Sequence, residues 1–383
     1  MPDEKVYEQL IGRLRSWLFD LPDSELLMPL MKHRFSYEEA EFLARFPFMP
    51  STLDQLAERL DVTKEQLFEK MKPMIKKGLI CAFEGKTGAR YALMDQLFFL
   101  YRMPGWKGEH DEWNRKIASL ANEYYVNQFG GDFVGHTTKG LRAIPIAQTI
   151  KDTRQILPYE DVLQYVEREE YHSVSTCACR HRHNIDPNVE TCKHDTENCL
   201  HFGKFGYYAV QQGMGRQITP EETLAILKKA ADAGLVHGIS NSKKGMDTIC
   251  NCCSCCCLFL EPVKMPVLMR GKHQRSNYQV RHDAQTCKAC GLCEKRCPVN
   301  AIELRNKEDA PKPEGGRKPK AKDLKFVAYD SDQCIGCGVC VHKCPTRSLS
   351  LVRREQEEDF PETLTELGRR FLMERGRDMS KIF

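Results

Sequence analysis

The sequence predicts a multi-domain protein of the α+β class. Its 383 residues exceed one typical domain, so roughly two to four domains are expected. Helix-capping motifs mark the first third of the chain, cysteines crowd the middle, and a duplicated cysteine pattern with short apolar runs lies near the end. We predict domains at residues 1–105, 106–265 and 266–352, followed by a helical tail at 353–383.

The first predicted domain consists of helices followed by a hairpin. Ser36–Phe46 is expected to be helical, and capping boxes at Thr52 and Thr63 each begin a further helix. The runs Leu79–Phe83 and Arg90–Met94 flank a glycine-containing turn and predict two antiparallel strands. Helices followed by a hairpin in this order indicate a winged-helix-like domain.

Charge argues against DNA binding by this domain. Residues 36–94 carry nine basic and nine acidic side chains, whereas binding to backbone phosphates requires a surplus of Lys and Arg. Pro73 lies within the third helix, where it removes a backbone donor and is expected to kink or shorten the helix. We therefore expect a docking or scaffold role, with Cys81 as a core residue.

A duplicated pattern, Cys-x2-Cys-x2-Cys-x3-Cys-Pro, occupies residues 287–298 and 334–345. This spacing is typical of bacterial two-cluster ferredoxins, in which the fourth cysteine of each run binds the other cluster. Zinc sites more usually combine two Cys-x2-Cys pairs. The pattern predicts two [4Fe–4S] clusters, one held by Cys287, Cys290, Cys293 and Cys344, and the other by Cys334, Cys337, Cys340 and Cys297.

Short apolar runs beside these motifs predict the four strands of a ferredoxin fold, at 278–280, 301–304, 326–328 and 348–351. Between the motifs, the Pro/Gly-rich segment Arg305–Lys325 carries eight Lys or Arg against four Asp or Glu. It makes residues 278–352 basic, with 14 Lys or Arg against nine Asp or Glu. We expect this positive charge to bind a redox partner protein with an acidic docking face. The alternatives are that the basic segment covers a cluster edge or is a solvated insertion.

The middle of the chain predicts a cysteine-rich α/β domain. A helix is expected after the cap Thr219 and before Gly234, with Leu224, Leu227 and Ala231 packed inside. Crowded thiols bind soft metals, so we predict a third metal centre formed by a subset of Cys177, Cys179, Cys192, Cys199, Cys250, Cys252, Cys253, Cys255, Cys256 and Cys257.

The leading interpretation of this third centre is another [4Fe–4S] cluster, drawing on Cys179, Cys192, Cys199 and one or more of residues 250–257. A structural zinc ion and a redox-active group of thiols are the alternatives. Four histidines would assist zinc binding, namely His181, His183, His194 and His201. Most of them are expected to face solvent.

Composition and charge exclude several classes of protein. The chain is 41% hydrophobic and 29% charged, and its net charge of +4 does not by itself indicate nucleic acid or anionic lipid. It has no apolar run of membrane-spanning length, and residues 1–5 lack a signal-peptide core. We expect a cytoplasmic location, where the 19 cysteines serve as metal ligands or redox groups rather than disulfides.

The chain resembles a group of proteins from anaerobes, known as 4Fe-4S binding proteins, that join a winged-helix start, a cysteine-rich middle and a dicluster ferredoxin end. The segments that carry the resemblance are TKGLRAIP (138–145), LPYE (157–160), CACR (177–180), residues 218–237 and ICNCC (249–253). The resemblance implies an intracellular electron carrier or an electron-transfer subunit of a low-potential pathway.

These observations together predict a cytosolic iron–sulfur protein that passes single electrons to a partner oxidoreductase. Because the sequence shows no Ser/His/Asp or paired-carboxylate motif, an electron carrier or subunit is favoured over a stand-alone enzyme. A redox-responsive transcriptional regulator and an oxidoreductase with an unusual central cluster or thiol site remain alternatives. In the tail, Glu362–Arg375 predicts an amphipathic helix, ended by Gly376, that packs on its own body or on a partner.

Overall fold

The computed structural model describes residues 2–85, 88–129, 132, 136–146, 149–150, 157, 160–258, 260, 275–308 and 320–378. Within this part of the chain, no helix is both long and apolar enough to cross a membrane. All 19 cysteines lie in it as free thiols.

The N-terminal elements follow the predicted order. They are α1 (Pro2–Arg15), α2 (Leu27–Arg34), α3 (Tyr37–Leu43), α4 (Leu53–Leu60), α5 (Lys64–Lys76), β1 (Ile80–Gly85) and β2 (Gly88–Leu93). Capping boxes form at Ser36, Thr52 and Thr63, and β1 pairs with β2 in antiparallel register. α5 continues through Pro73 to Lys76, and Cys81 is buried as predicted. The assignment of these elements to a winged helix stays a prediction.

A second helical segment connects the hairpin to the middle of the chain. It contains a π-helical turn (Phe98–Arg102), α6 (Met103–Trp106), α7 (Glu112–Tyr124) and a second π-helical turn (Tyr125–Phe129). Its aromatic side chains are buried in the main hydrophobic core. α7 also buries the polar side chains of Asn114 and Asn122, whereas its charged side chains Glu112, Arg115, Lys116 and Glu123 are exposed.

The middle of the chain forms a six-stranded antiparallel sheet. Its strands are β3 (Leu141–Ala143), β4 (His172–Thr176), β5 (Glu197–Phe202), β6 (Arg216–Ile218), β7 (Val236–Ser240) and β8 (Thr248–Cys252), in the spatial order β3-β7-β8-β5-β4-β6. The helices of this region are α8 (Val162–Arg168), α9 (Ala178–Ile185), α10 (Gly203–Gln211) and α11 (Pro220–Ala233). A compact apolar core forms between the sheet and α8 and α11.

Helix α11 follows the sequence prediction at both ends. The Thr219 side chain accepts a hydrogen bond from the backbone N–H of Glu222, and Gly234 ends the helix in the left-handed conformation at φ 86°. Leu227 and Ala231 are buried, but Leu224 is 38% exposed, so the prediction that Leu224 packs inside was wrong. Thr223 takes the inward position instead, because its hydroxyl lies 3.0 Å from the imidazole Nδ1 of His172.

The C-terminal elements form two strand pairs with short helices between them. The strands are β9 (Tyr278–His282), β10 (Ile302–Asn306), β11 (Lys325–Tyr329) and β12 (Leu349–Arg353), and the helices are α12 (Leu292–Arg296), α13 (Ala321–Leu324) and α14 (Val339–His342). β9 pairs with β12 and β10 with β11, both antiparallel. The four strands lie where the sequence predicted them, whereas residues 309–319 of the basic segment lie outside the described residues.

This C-terminal part packs against the end of α11. The Arg296 guanidinium donates to the carbonyls of Ala231 at 2.9 Å and Asp232 at 3.2 Å. The Asp232 carboxylate in turn lies 2.9 Å from His342 Nε2 and 2.5 Å from Lys343 Nζ. Helix α11 therefore connects the cysteine-rich middle to the loops of the duplicated motif.

The predicted tail helix is present as α15 (Leu364–Glu374), capped by Thr363. Its buried Phe371 lies 5.3 Å from the ring of Phe19, between centroids. At its end, the Arg375 guanidinium pairs with the Asp132 carboxylate at 3.0 Å. Of the two roles predicted for this helix, packing on its own body is the one that the structure shows.

Candidate metal centres

The two cysteine motifs repeat one backbone conformation. Three pairs of equivalent positions adopt a left-handed backbone, namely Ala289 and Gly336, Gly291 and Gly338, and Asn300 and Arg347. Side-chain-bearing residues rarely adopt positive φ, so its recurrence at the same places indicates a shared requirement on the loop. The fold thus presents the two motifs as matching loops.

Backbone N–H groups in both loops point at cysteine sulfurs. The amide of Ala289 donates to Cys287 Sγ at 3.4 Å, and that of Gly336 donates to Cys334 Sγ at the same distance. Such donors stabilise negative charge on a thiolate, and hydrogen bonds to sulfur are one of the means by which proteins set iron–sulfur potentials. A backbone donor therefore faces the first sulfur of each motif.

The same type of contact occurs at the fourth cysteine of each motif. Ala301 N–H donates to Cys297 Sγ at 3.2 Å. In the second motif, the Ser348 hydroxyl lies 3.4 Å from Cys344 Sγ. A donor therefore faces the fourth sulfur in both motifs, although one is a backbone amide and the other a hydroxyl.

The two motifs differ in their exposure. Cys290 is exposed in the first motif, whereas the first three cysteines of the second, Cys334, Cys337 and Cys340, are all buried. The second motif faces the middle of the chain, because Ile146 N–H donates to the carbonyl of Cys337 at 3.2 Å. One site is thus open to a partner protein and the other is enclosed.

The ten central cysteines separate into two groups, and the predicted ligand set that draws on Cys179, Cys192 and Cys199 together stays a prediction. The first, which we name the four-cysteine group, consists of Cys192, Cys253, Cys255 and Cys256. Its sulfurs all lie within 4.8 Å of one another, with 3.5 Å between Cys192 and Cys255 and 3.1 Å between Cys253 and Cys256.

Such close spacing suits one metal ion. With metal–sulfur bonds of about 2.3 Å, the sulfurs of a tetrahedral thiolate site lie about 3.8 Å apart. Among the described residues, no three cysteines of the duplicated motifs come as close together as those of the four-cysteine group. The loops of the duplicated motif therefore leave room for a larger inorganic core, and the four-cysteine group does not.

The remaining central cysteines surround a cavity of about 40 Å³. We name them the six-cysteine group, and its members are Cys177, Cys179, Cys199, Cys250, Cys252 and Cys257. Cys253 of the four-cysteine group borders the same cavity. The two groups are therefore neighbours.

Buried arginines lie between the groups. The fully buried Arg180 guanidinium donates to the carbonyl of Asp195 at 2.8 Å and to the side-chain oxygen of Asn198 at 2.6 Å. Burial is the largest influence and lowers its pKa, but interactions with Cys177, Cys253 and Cys256 together raise the pKa of Arg180 above its ordinary value. Arg180 therefore supplies positive charge to both groups.

Contacts between thiols favour ionisation at particular sulfurs. The Cys192 thiol donates toward Cys253 and thereby lowers the pKa of Cys253 far below its usual range. In the six-cysteine group, Cys177 lowers the pKa of Cys179, and Cys199 lowers that of Cys250, in the same manner. Since thiolates rather than thiols bind metals, each group is chemically prepared for ligation.

Most of the four histidines were predicted to face solvent, and this prediction was wrong because three of them are buried. His181, His183 and His201 are all buried. His201 packs against Trp106 with 4.8 Å between ring centroids, and burial lowers its pKa to about 3. In the described part of the chain, no histidine joins the four-cysteine group.

Sequence reasoning missed the residues that close the cavity from the N-terminal side. Tyr101, Arg102 and Trp106 line it, and the Tyr101 hydroxyl donates to Cys179 Sγ at 3.2 Å. These residues lie far from any cysteine in the sequence, so spacing alone carries no signal for them. The π-helical turn that contains Tyr101 and Arg102 is a feature often found at functional sites.

Comparison with known proteins covers only the C-terminal part of the chain. No curated protein and no solved structure matches the sequence. Residues 286–348 match the family model of the 4Fe-4S dicluster domain. The C-terminal part of this protein is therefore an iron–sulfur, ferredoxin-like domain.

Proposed function

We propose that this protein is an electron-transfer protein in which two [4Fe–4S] clusters exchange single electrons with a partner oxidoreductase. The observation that carries the proposal is the repeated loop with N–H groups directed at Cys287 and Cys334. The dicluster family match over residues 286–348 supports it. When bound, such clusters supply one-electron redox chemistry, which needs no acid, base or nucleophile from the chain.

The ligand sets follow the ferredoxin pattern. Cys287, Cys290, Cys293 and Cys344 would hold one cluster, and Cys334, Cys337, Cys340 and Cys297 the other. Around the second set, buried apolar side chains, among them Ile335 and Val339, exclude water. Exclusion of water and hydrogen bonds to sulfur are the two ways in which this chain would influence the reduction potential.

Electron exchange with a partner would occur at the first motif. Cys290 is exposed, and the neighbouring Lys288, Leu292 and Lys295 are exposed as well. An apolar side chain between two lysines offers a small contact surface with positive charge at its rim. We therefore propose a partner with an acidic docking face, since complementary charge accelerates association.

The four-cysteine group would hold a third metal, as one tetrahedral ion bound by four thiolates. Its sulfur spacing favours zinc or a single iron over a third [4Fe–4S] cluster. The group also packs against Ala230 and Leu235 at the end of α11. A metal there would hold the loop of residues 253–256 against this helix.

The N-terminal elements would act as a scaffold rather than bind DNA. They supply Tyr101 and Trp106 to the cavity, and Cys81 packs near Tyr208 of α10. Since all cysteines are free thiols, we place the protein in a reducing compartment, the cytoplasm of an organism with anaerobic metabolism.

Metal and sulfide analysis of protein purified without oxygen tests the proposal. Two cubes require about eight irons and eight sulfides per chain, with a paramagnetic signal after reduction. Cys290→Ser and Cys337→Ser should each disturb one cluster, whereas Cys81→Ser should leave iron unchanged. Protein without iron, or with iron unaffected by both cluster variants, would disprove the proposed function.

A further inference from the structure

The cysteines of the six-cysteine group come from four segments of the chain, which meet beside β5 and β8 of the sheet. Cys250 and Cys252 are two residues apart on β8, so both lie on the same face of the sheet. Cys199 lies beside them on β5, which pairs with β8 at Leu200 and Ile249. Cys177 and Cys179 lie at the start of α9, and Cys257 follows the β8 strand after a short loop.

The thiols form a continuous row of contacts around the cavity. Cys179 contacts Cys177 on one side and Cys257 on the other. Cys257 contacts Cys252, which contacts Cys250 in turn, and Cys250 contacts Cys199. Arg180 of α9 interacts with Cys177 of this row and with Cys253 of the four-cysteine group, and Arg182 donates to the carbonyl of Cys256 at 3.1 Å.

The row is too open for isolated metal ions. Among the described residues, no three of these sulfurs lie within 4.8 Å of one another, whereas a tetrahedral thiolate ion requires four at about 3.8 Å. The same argument applies to two zinc ions that share six thiolates, because each ion would need its own compact set. The six thiols instead surround a space, as the thiols of the duplicated motifs do.

Accessible surface on the sulfurs faces this space. Cys177, Cys179 and Cys250 are only half-buried, although each lies deep inside the protein. Cys199, Cys252 and Cys257 are buried. The cavity is therefore an internal chamber with thiol walls rather than a groove on the surface.

The surroundings supply positive charge for an anionic group. The hydrogen bonds described above for Arg180 go to neutral oxygens, and a buried positive charge is costly unless an anion compensates it. Arg182 lies 4.8 Å from the ring centroid of Tyr101, and Arg102 lines the chamber. A thiolate-bound inorganic cluster is an anion of the kind that these arginines would balance.

Two aromatic side chains direct donors at the row of sulfurs. The Tyr101 hydroxyl donates to Cys179, and the Trp106 indole donates to Cys199. Both residues come from the helical segment that closes the chamber, and a Cβ on Gly105 between them would lie 2.7 Å from that of Ala178. The segment therefore packs tightly over the thiols and shields them from water.

We infer that the six-cysteine group binds a multinuclear iron–sulfur cluster, separate from the ferredoxin-like domain and from the four-cysteine group. Soft thiolates select iron–sulfur cores among the metals that a cell offers. Each ligating thiol releases its proton on binding. The proposal does not depend on what the ferredoxin-like domain transfers or to which partner.

The test compares two double variants of the full chain, purified without oxygen. Cys179→Ser with Cys250→Ser alters the six-cysteine group, and Cys253→Ser with Cys256→Ser is the matched control in the four-cysteine group. Wild-type protein should hold more than about nine irons, eight for two cubes and at most one in the four-cysteine group. The first variant should lose several irons with an unchanged ferredoxin signal, while the control should lose at most the single ion of the four-cysteine group.

A third variant gives a readout that misfolding cannot imitate. Tyr101→Phe removes the hydrogen bond to Cys179 but retains the ring, so it should leave the iron content unchanged. The Mössbauer or paramagnetic signal of the additional iron should shift, while that of the ferredoxin-like domain should not.

Three results would overturn the inference. They are a wild-type chain with no more than about nine irons, zinc rather than iron lost from the Cys179→Ser, Cys250→Ser variant, and iron beyond about nine per chain that persists in that variant. In each case the two ferredoxin clusters remain present. Failure of the proposed function would instead show as loss of those clusters, so the two failures are distinguishable.

Discussion

Gly336 shows how a single residue determines the shape of a metal-binding loop. It adopts φ 69°, and a Cβ there would overlap the Ser276 hydroxyl and the carbonyl of Tyr278. Ala289 holds the equivalent left-handed position in the first motif with φ 51°, so the backbone requirement alone does not demand glycine. The close approach of β9 to the second loop is what excludes a side chain.

We expect Gly336→Ala to distort the second loop and to lower the iron content by about four per chain, the number in one cube. The overlap would move the N–H group that donates to Cys334 Sγ. Anaerobic metal analysis measures the effect. Ala289→Gly, which removes a Cβ at the matched position, should retain all iron; equal losses in both variants would contradict the explanation.

Glu160 should make stability depend on pH. Burial raises its pKa to about 7 from the ordinary 4.5, although its carboxylate accepts a hydrogen bond from Asn277 N–H at 3.0 Å. Above pH 4.5 the unfolded chain releases this proton while the folded chain keeps it, so stability falls as pH rises towards 7. At about 1.4 kcal/mol per pKa unit, the contribution is on the order of 3 kcal/mol.

Glu160→Gln should remove this dependence, because the amide does not titrate. Urea unfolding at pH values on both sides of this window, about 4 and 7.5, measures the difference in the free energy of unfolding. The variant should lose less stability than wild type between the two conditions. An unchanged difference would show that Glu160 ionises normally in the folded chain.

At the scale of elements, the tail helix α15 holds together parts that are distant in sequence. Phe371 is buried against Phe19, while Met373 on the same helix is 59% exposed. Phe371→Ala should lower the free energy of unfolding by about 3 to 5 kcal/mol, since it removes a buried aromatic ring. Chemical denaturation measures this loss.

Met373→Ala is the matched control on α15. It should change the free energy of unfolding by no more than about 0.5 kcal/mol, because its side chain lies in solvent. Similar effects of the two changes would mean that α15 does not pack on the body of the protein in solution.

Helix α11 illustrates how far local sequence signals reach. Its cap at Thr219 and its end at Gly234 are properties of a few neighbouring residues, and both were predicted correctly. The sequence did not predict that Thr223 rather than Leu224 faces inward, because this depends on the approach of His172 from β4. Hydrophobic periodicity gives the average orientation of a helix, and packing partners decide its details.

At the scale of the whole molecule, positive charge surrounds the exposed motif. Reversing Lys288 and Lys295 to Glu should lower the rate of electron exchange with a small acidic ferredoxin by about tenfold at low salt. The dependence of this rate on ionic strength should weaken as well. Stopped-flow measurements over a series of salt concentrations test both effects.

The control carries the same change in net charge at a distant surface. Lys70→Glu with Lys72→Glu alters exposed side chains of α5. The rate should stay close to that of wild type. If this pair slows electron exchange as much as the first, overall charge rather than local docking controls the reaction.

The sequence by itself determined the features that depend on local spacing. The cysteine motifs, the flanking strands, the capping boxes and the tail helix all follow from residues that are close neighbours along the chain. Tertiary structure alone decided how the ten central cysteines divide. Cys253 and Cys257 are four residues apart yet belong to different groups, because Cys192 meets one and Cys179 meets the other. Those meetings depend on how β5, β8 and α9 pack, and no local pattern encodes that packing.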